Sequence, residues 1–294
     1  METVAFYSYK GGVGRSMLLA NAGRYLAMHG KGVVALDFDF EAPGLHYKLI
    51  GGPIDIGGAV PYLIATAEGT ASPPPFDEHM ITVPVPAEGG GWLRLMPAGP
   101  APQQRYWKAL KELSDHLRLT DLSGSGFMAL LDLQARIADE LKPDYLLIDA
   151  RTGVTELGGL ATSVLADTVV CLLVPNQESL DGTLAVVGAL KSTPRLASQR
   201  PIRIVPVLSR TIYPLSEDSR FQSGAEKLLR LSDGPRNRYS NRIFVMLPHD
   251  QPHGASEWLF GSEEAQGSVL SRLYQAYKYL FSVLFPETKP AATP

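Results

Sequence analysis

A strand-like run, Val4-Ala5-Phe6-Tyr7, leads almost at once into Tyr9-Lys10-Gly11-Gly12-Val13-Gly14-Arg15-Ser16, and a helical pattern over 15–29 follows. This order of strand, glycine loop and helix restricts the fold more than any other feature of the chain. Glycines let the backbone curl so that successive N–H groups point inward, and the next helix adds its positive N-terminus. A loop of that kind cradles a polyphosphate. The ordinary phosphate loop ends in Gly-Lys-Ser/Thr, where lysine reaches the terminal phosphates and the hydroxyl holds Mg²⁺. Here Arg15 stands where that lysine is expected, and Ser16 supplies the hydroxyl.

The rest of the chain fits one sheet. Buried strands are predicted at Val4 to Tyr7, Val33 to Leu36, Leu93 to Met96 and Tyr145 to Ile148, then at Thr168 to Val174, Ile202 to Leu208 and Ile243 to Leu247. Helical stretches are predicted near 15–29, 104–116, 126–142, 179–192, 219–231 and 266–285. Short apolar runs alternating with helices predict an α/β fold, a doubly wound and mostly parallel sheet with helices on both faces. In such a fold, ligands bind at the carboxyl ends of the strands. The 294 residues are read as one domain over 1–285, with a Pro/Gly-rich insertion at 71–91, a loop at 120–126 and a disordered tail at 286–294.

Composition narrows the class. A hydrophobic content of 45% with 19% charged residues excludes a disordered or fibrous chain. A net charge of -3 gives no strong global field toward nucleic acid or membrane. The single cysteine, Cys171, excludes an internal disulfide and fits a reducing compartment; mid-strand, it reads as a small core residue. The apolar window from Leu157 to Pro175 is broken by Asp167 and reads as a helix followed by a strand. With an acidic Met1-Glu2-Thr3 start, a cytoplasmic location is expected.

Two further runs end in carboxylates. Val33-Val34-Ala35-Leu36 delivers Asp37-Phe38-Asp39, whose two carboxylates, two residues apart, point to the same side of a strand end. Tyr145-Leu146-Leu147-Ile148 delivers Asp149, the pattern of a strand that carries a carboxylate to a Mg²⁺ site. Alone, Asp37 and Asp39 would read as a capped turn, and Asp149 as a solvated strand end.

The stretch Lys10-Gly11-Gly12-Val13-Gly14-Arg15-Ser16 resembles the deviant Walker A loop of the ParA/MinD ATPase family, in a KGGVGR form. The resemblance extends to Asp37-Phe38-Asp39 and to Asp149-Ala150-Arg151-Thr152-Gly153, and covers nearly the whole chain. It implies a P-loop NTPase fold binding ATP and Mg²⁺. It implies that Gly11, Gly12, Val13, Gly14, Arg15, Ser16 and Met17 hold the phosphates, and that Ser16, Asp37 and Asp149 serve the metal. Asp39 would orient the attacking water, with Lys10 and Arg15 as catalytic cations. Ser209 and Arg210, with Pro248 and His249, would form the base pocket.

The family resemblance implies a slowly hydrolysing, nucleotide-dependent homodimer that regulates a partner protein. Two alternatives stand beside it. One is a scaffold that binds nucleotide without hydrolysis, motivated by Arg15. The other is an enzyme like the bacterial tyrosine kinases, against which Tyr274, Tyr277 and Tyr279 sit in an apolar helical pattern that suits core packing. That helix carries few basic residues, so docking on the protein's own sheet is preferred to membrane attachment. Finally, Lys191 to Arg242 holds eleven basic residues against four acidic ones, +7 in a chain of net -3. Weak, non-specific DNA binding through Arg236 and Arg238 is ranked below a solvated arginine face or a docking site for an acidic protein.

Overall fold

The computed structural model describes residues 1–69, 73–86, 89–100, 104–116, 123–192, 201–211, 219–249, 259–261 and 272–288. Among these described residues, eight strands form one sheet: β1 (Glu2–Ser8), β2 (Gly32–Phe38), β3 (Ile81–Val83), β4 (Trp92–Met96), β5 (Tyr145–Ala150), β6 (Thr168–Leu173), β7 (Arg203–Thr211) and β8 (Val245–Pro248). Their order is β3-β4-β2-β5-β1-β6-β7-β8. Every pairing is parallel except β3 with β4.

The near-continuous apolar runs arise because both faces of this sheet are covered. On β1, Val4 and Phe6 pack toward one face and Ala5 and Tyr7 toward the other, as strand alternation requires. The first face is covered by α1 (Arg15–Met28), α2 (Leu45–Leu49) and a C-terminal helix. The second is covered by α3 (Ala59–Ala67), α4 (Gln104–His116), α5 (Ser125–Arg136), α6 (Glu156–Gly159), α7 (Gln177–Ser192) and α8 (Ser219–Leu231). The C-terminal helix, α9 (Arg272–Leu284), buries Leu280, Phe281 and Leu284 in the first face. Its apolar stripe is thus used internally; among the described residues, no helix is long and apolar enough to cross a membrane.

Several sequence expectations shift. The Pro/Gly-rich stretch 71–91 contributes β3, a three-residue antiparallel edge strand that three apolar or β-branched residues among prolines do not advertise. Helices α2 and α3 were absent from the predicted pattern. The latter reads AVPYLIATA, apolar nearly all round, so no 3.6-residue period stands out. The helix expected over 126–142 ends as α5 at Arg136 and continues as a π-helical turn, Ile137–Leu141; α6 likewise continues as a π turn, Leu160–Leu165. The tail expected to be disordered from 286 begins instead with a 3-10 turn, Pro286–Thr288, in which Thr288 is buried and donates to the Phe285 carbonyl. Residues 289–294 lie outside the described ones, as do residues 120–122 of the predicted loop and residues 266–271 of the predicted last helix.

Cys171 is fully buried in β6, as its mid-strand position predicts. Burial pushes its thiol up to about 12. The thiolate is the reactive species. The native chain is therefore expected to resist Ellman's reagent at pH 8 and to react stoichiometrically once unfolded in guanidinium. Rapid labelling under native conditions would show that β6 opens locally.

Candidate functional site

The phosphate loop leaves the carboxyl end of β1, the strand between β5 and β6. Gly12 and Gly14 take φ of 72° and 89°, the left-handed region that side chains with a Cβ seldom adopt. A Cβ placed on Gly11, Gly12 or Gly14 would meet nothing within 4 Å among the described residues, so the space beside these glycines is open. Gly14 is the N-cap of α1 and provides no side-chain cap. The first-turn N–H groups of α1, including those of Ser16 and Met17, are therefore left for an anion, where the helix dipole is favourable. Val13 is buried beneath the loop and anchors it to the first-face core.

Arg15 does not lean over this space. Its guanidinium is buried and turned into the sheet end, with Nε donating to Asp149 Oδ1 at 2.5 Å and Nη2 donating to Asp39 Oδ2 at 2.8 Å. Its third nitrogen, Nη1, is buried with no hydrogen-bond partner among the described residues. Burial alone would lower the guanidinium, yet Asp149 and Asp39 hold it above its ordinary value. Arg15 is thus the counter-ion of an acidic cluster that the sequence reading assigned to a metal.

That cluster follows from register. Asp37 on β2 and Asp149 on β5 are Cα partners across adjacent parallel strands, so their side chains leave the same face side by side. Both are fully buried. Burial, and then the neighbouring Asp149, push the Asp37 carboxyl up to about 8. Asp149 is also raised by burial, although Arg15 and a hydrogen bond with Ser16 pull it back. Asp37 also caps a turn: Oδ1 accepts the Asp39 N–H at 3.2 Å, and Oδ2 accepts those of Gly44 and Leu45, each at 3.1 Å. The bland reading of this residue and the chemical one are both built into it.

Lys10 is exposed and paired with Glu178 at the start of α7, 2.5 Å away. Its neighbour Tyr9 lies against α7 at Gly182, where an added Cβ would come within 2.2 Å of the ring. Arg151, just after Asp149, forms an ion pair with Glu41, just after Asp39. This bridge between the two acidic loops depends on the fold, because Glu41 and Arg151 lie far apart in the chain. The late residues sit along the same sheet edge. Arg210 is exposed with φ 52° at a bulge that ends β7. Ser209 beside it is buried, its hydroxyl donating to the Leu173 carbonyl at 3.4 Å. Pro248 ends β8, and the His249 N–H donates to the Thr211 carbonyl at 3.0 Å.

The residues present fit a phosphate chain: an unobstructed glycine loop, an uncapped helix start and a buried guanidinium nitrogen with no partner among the described residues. Ser16, Asp37 and Asp149 offer hard oxygen donors suited to Mg²⁺, which keeps several waters and takes one or two protein ligands. Among the described residues no group of three His, Cys, Asp or Glu side chains forms a metal site by itself.

Comparison with known families decides the assignment. Residues 4–251 match the model of the CobQ/CobB/MinD/ParA nucleotide binding domain. The chain belongs to this family. Solved structures share its fold at low identity. McdA from Cyanothece, in an ATP complex of a variant, is 15% identical with a TM-score of 0.66, covering 100% of this chain and 99% of that one. MinD from Pyrococcus horikoshii, complexed with Mg-ADP, is 18% identical with a TM-score of 0.63, covering 97% and 96%. A ParA family ATPase from Chlorobium tepidum is 17% identical with a TM-score of 0.62, covering 95% and 98%. No curated protein sequence matches the chain. The ParA/MinD resemblance and the doubly wound P-loop NTPase fold read from the sequence are thereby shown.

Proposed function

We propose that this CobQ/CobB/MinD/ParA-family chain is an ATP-dependent molecular switch that dimerises around nucleotide, hydrolyses it slowly and thereby regulates a partner protein. The observation that carries this reading is the open glycine cradle with the Arg15 guanidinium at its foot, bridging Asp39 and Asp149. The relatives support it: the MinD and McdA structures hold Mg-ADP and ATP, and Aquifex aeolicus MinD has been solved with MinC. In this reading the N–H groups from Gly11 to Met17 bind the phosphates. Ser16, Asp37 and Asp149 would hold Mg²⁺, which when bound neutralises charge on the phosphate oxygens. Asp39 orients the attacking water, Arg210 and the Pro248-His249 backbone hold the base, and Arg15 exchanges a carboxylate for a phosphate oxygen. Calorimetry should show a single site for ATP that weakens without Mg²⁺, with GTP as the comparison. No heat at millimolar nucleotide would end the proposal.

Lys10 is assigned to the dimer. It stands on the exposed side of the loop, and a switch from Glu178 to the nucleotide of a second subunit would complete that subunit's charge neutralisation. Surface ion pairs contribute only about 0–1 kcal/mol, so Glu178 releases it at little cost. Lys10→Ala is expected to abolish ATP-induced dimerisation in sedimentation velocity while leaving nucleotide binding intact. Unchanged dimerisation would make Lys10 a solvated loop residue.

A scaffold that holds nucleotide without turnover is the second reading, and the double ion pair of Arg15 favours it. A planar fork engaged by two carboxylates is less free to follow a migrating phosphoryl group than a lysine ammonium. Phosphate release by wild type and Arg15→Lys separates the two. The tyrosine-kinase reading finds less support: Tyr277 is buried and Tyr274 stacks on Phe260 at 4.7 Å, although Tyr279 is exposed, unlike the expected core residue.

A further inference from the structure

The surplus of arginine late in the chain condenses at one place. Between α8 and β8 the chain folds into a small knuckle, with Arg236 and Arg242 bridged as an antiparallel pair. Asn237 organises its tip. The Asn237 N–H donates to the Asn241 carbonyl at 2.8 Å, and its side-chain oxygen accepts the N–H groups of Tyr239 and Asn241 at 2.9 and 3.0 Å. Ser240 closes the turn with φ 63°. The result holds Tyr239 in solvent at 68% exposure, with the Arg238 guanidinium 4.7 Å from its ring centre. Beside the tip lies a concavity of about 600 Å³ lined by Arg230, Arg236 and Arg242, with Glu226 on its wall.

The knuckle is far from the nucleotide in topology. Asp233, just before it, pairs with Ile204 at the start of β7, and accepts Lys191 at 2.7 Å. It therefore stands at the amino ends of the parallel strands, the pole opposite the phosphate loop, and belongs to no subsite of the nucleotide. We infer that the knuckle Arg236–Arg242 is a docking site for an acidic segment of a protein partner, with Tyr239 as its apolar anchor and the surrounding guanidinium groups as its carboxylate ligands.

Three observations select this occupant. Guanidinium forks match carboxylates in bidentate geometry, and a tyrosine with arginines around it is the composition of a protein-binding hot spot. The site is a single concave pocket beside one aromatic, whereas a duplex backbone is gripped by cations spread along its length. Arg236 and Arg242 already spend donors on the Ser240 and Arg230 carbonyls, and Glu226 faces the same pocket, which suits a few discrete carboxylates better than a uniform polyanion.

This extends the switch reading by naming the chemistry of its partner. The test uses the whole chain, a fluorescein-labelled peptide with a few glutamates spaced around one leucine, and a duplex DNA of about two helical turns, at low salt. Peptide binding is expected to saturate, to weaken with salt, and to fall about tenfold for Arg238→Glu or Tyr239→Ala, roughly one charge-assisted or aromatic contact. Both residues are exposed, so the variants should fold; ATP calorimetry on each confirms it and keeps a failure of this inference separate from a failure of the nucleotide reading. No peptide binding overturns the docking site. DNA binding that equals or exceeds the peptide's, and is lost in the same variants, overturns it in favour of a nucleic-acid surface.

Discussion

Arg15→Ala is expected to destabilise the nucleotide-free chain by about 3–5 kcal/mol, the cost of removing one partner from a buried ion pair. Alanine would leave Asp149 fully buried and Asp39 mostly so, with Asp37 already crowded against Asp149. Arg15→Lys should lie between, since one ammonium keeps the charge but loses the fork that spans both carboxylates. Urea unfolding at pH 7 measures this, and a loss under about 1 kcal/mol would mean that the cluster relaxes by taking up protons. Proton uptake gives the wild type a pH signature as well. Asp37 is raised to about 8 when folded, so between the ordinary carboxylate range and pH 8 the folded chain binds protons that the unfolded chain has lost. Stability of the nucleotide-free chain therefore falls as pH rises across that window, and the fall should be steeper in Arg15→Ala.

The second large effect is on binding. Gly12→Val is expected to weaken ATP binding by more than about 100-fold, or about 2.7 kcal/mol. At φ 72° a β-branched residue is strained, at a cost of about 1–2 kcal/mol to the fold. Nothing within 4 Å obstructs the added Cβ, so the loop keeps its place and the isopropyl group fills the space that the phosphates need. Calorimetry beside thermal unfolding distinguishes the two effects. Retained affinity would show that the cradle is not where nucleotide binds.

Much of this arrangement is legible in the sequence because it depends on chain order. The glycine loop, Asp37, Asp39 and Asp149 each follow a strongly apolar strand, and parallel register then brings them together. What the sequence hides depends on rotamers and on partners distant in the chain. Arg15 could reach outward or inward, and only packing next to Asp149 turns it inward. Glu41 and Glu178 look like ordinary surface acids until the fold places Arg151 and Lys10 beside them. Elements were missed for a related reason. The period that reveals a helix needs one wet face, which α3 largely lacks, and β3 is too short for alternation to show.

The buried Cys171 makes the chain its own blank. With the only thiol of the protein silenced by burial in β6, a single introduced cysteine would be the sole point of attachment for a spin label or dye. Val154, 79% exposed in the loop after β5, and Tyr239 at the knuckle tip are positions where a label displaces no core packing. A probe at each would report separately on the two poles of the sheet, and whether both respond to one nucleotide could be read by spectroscopy without removing a native side chain from the core.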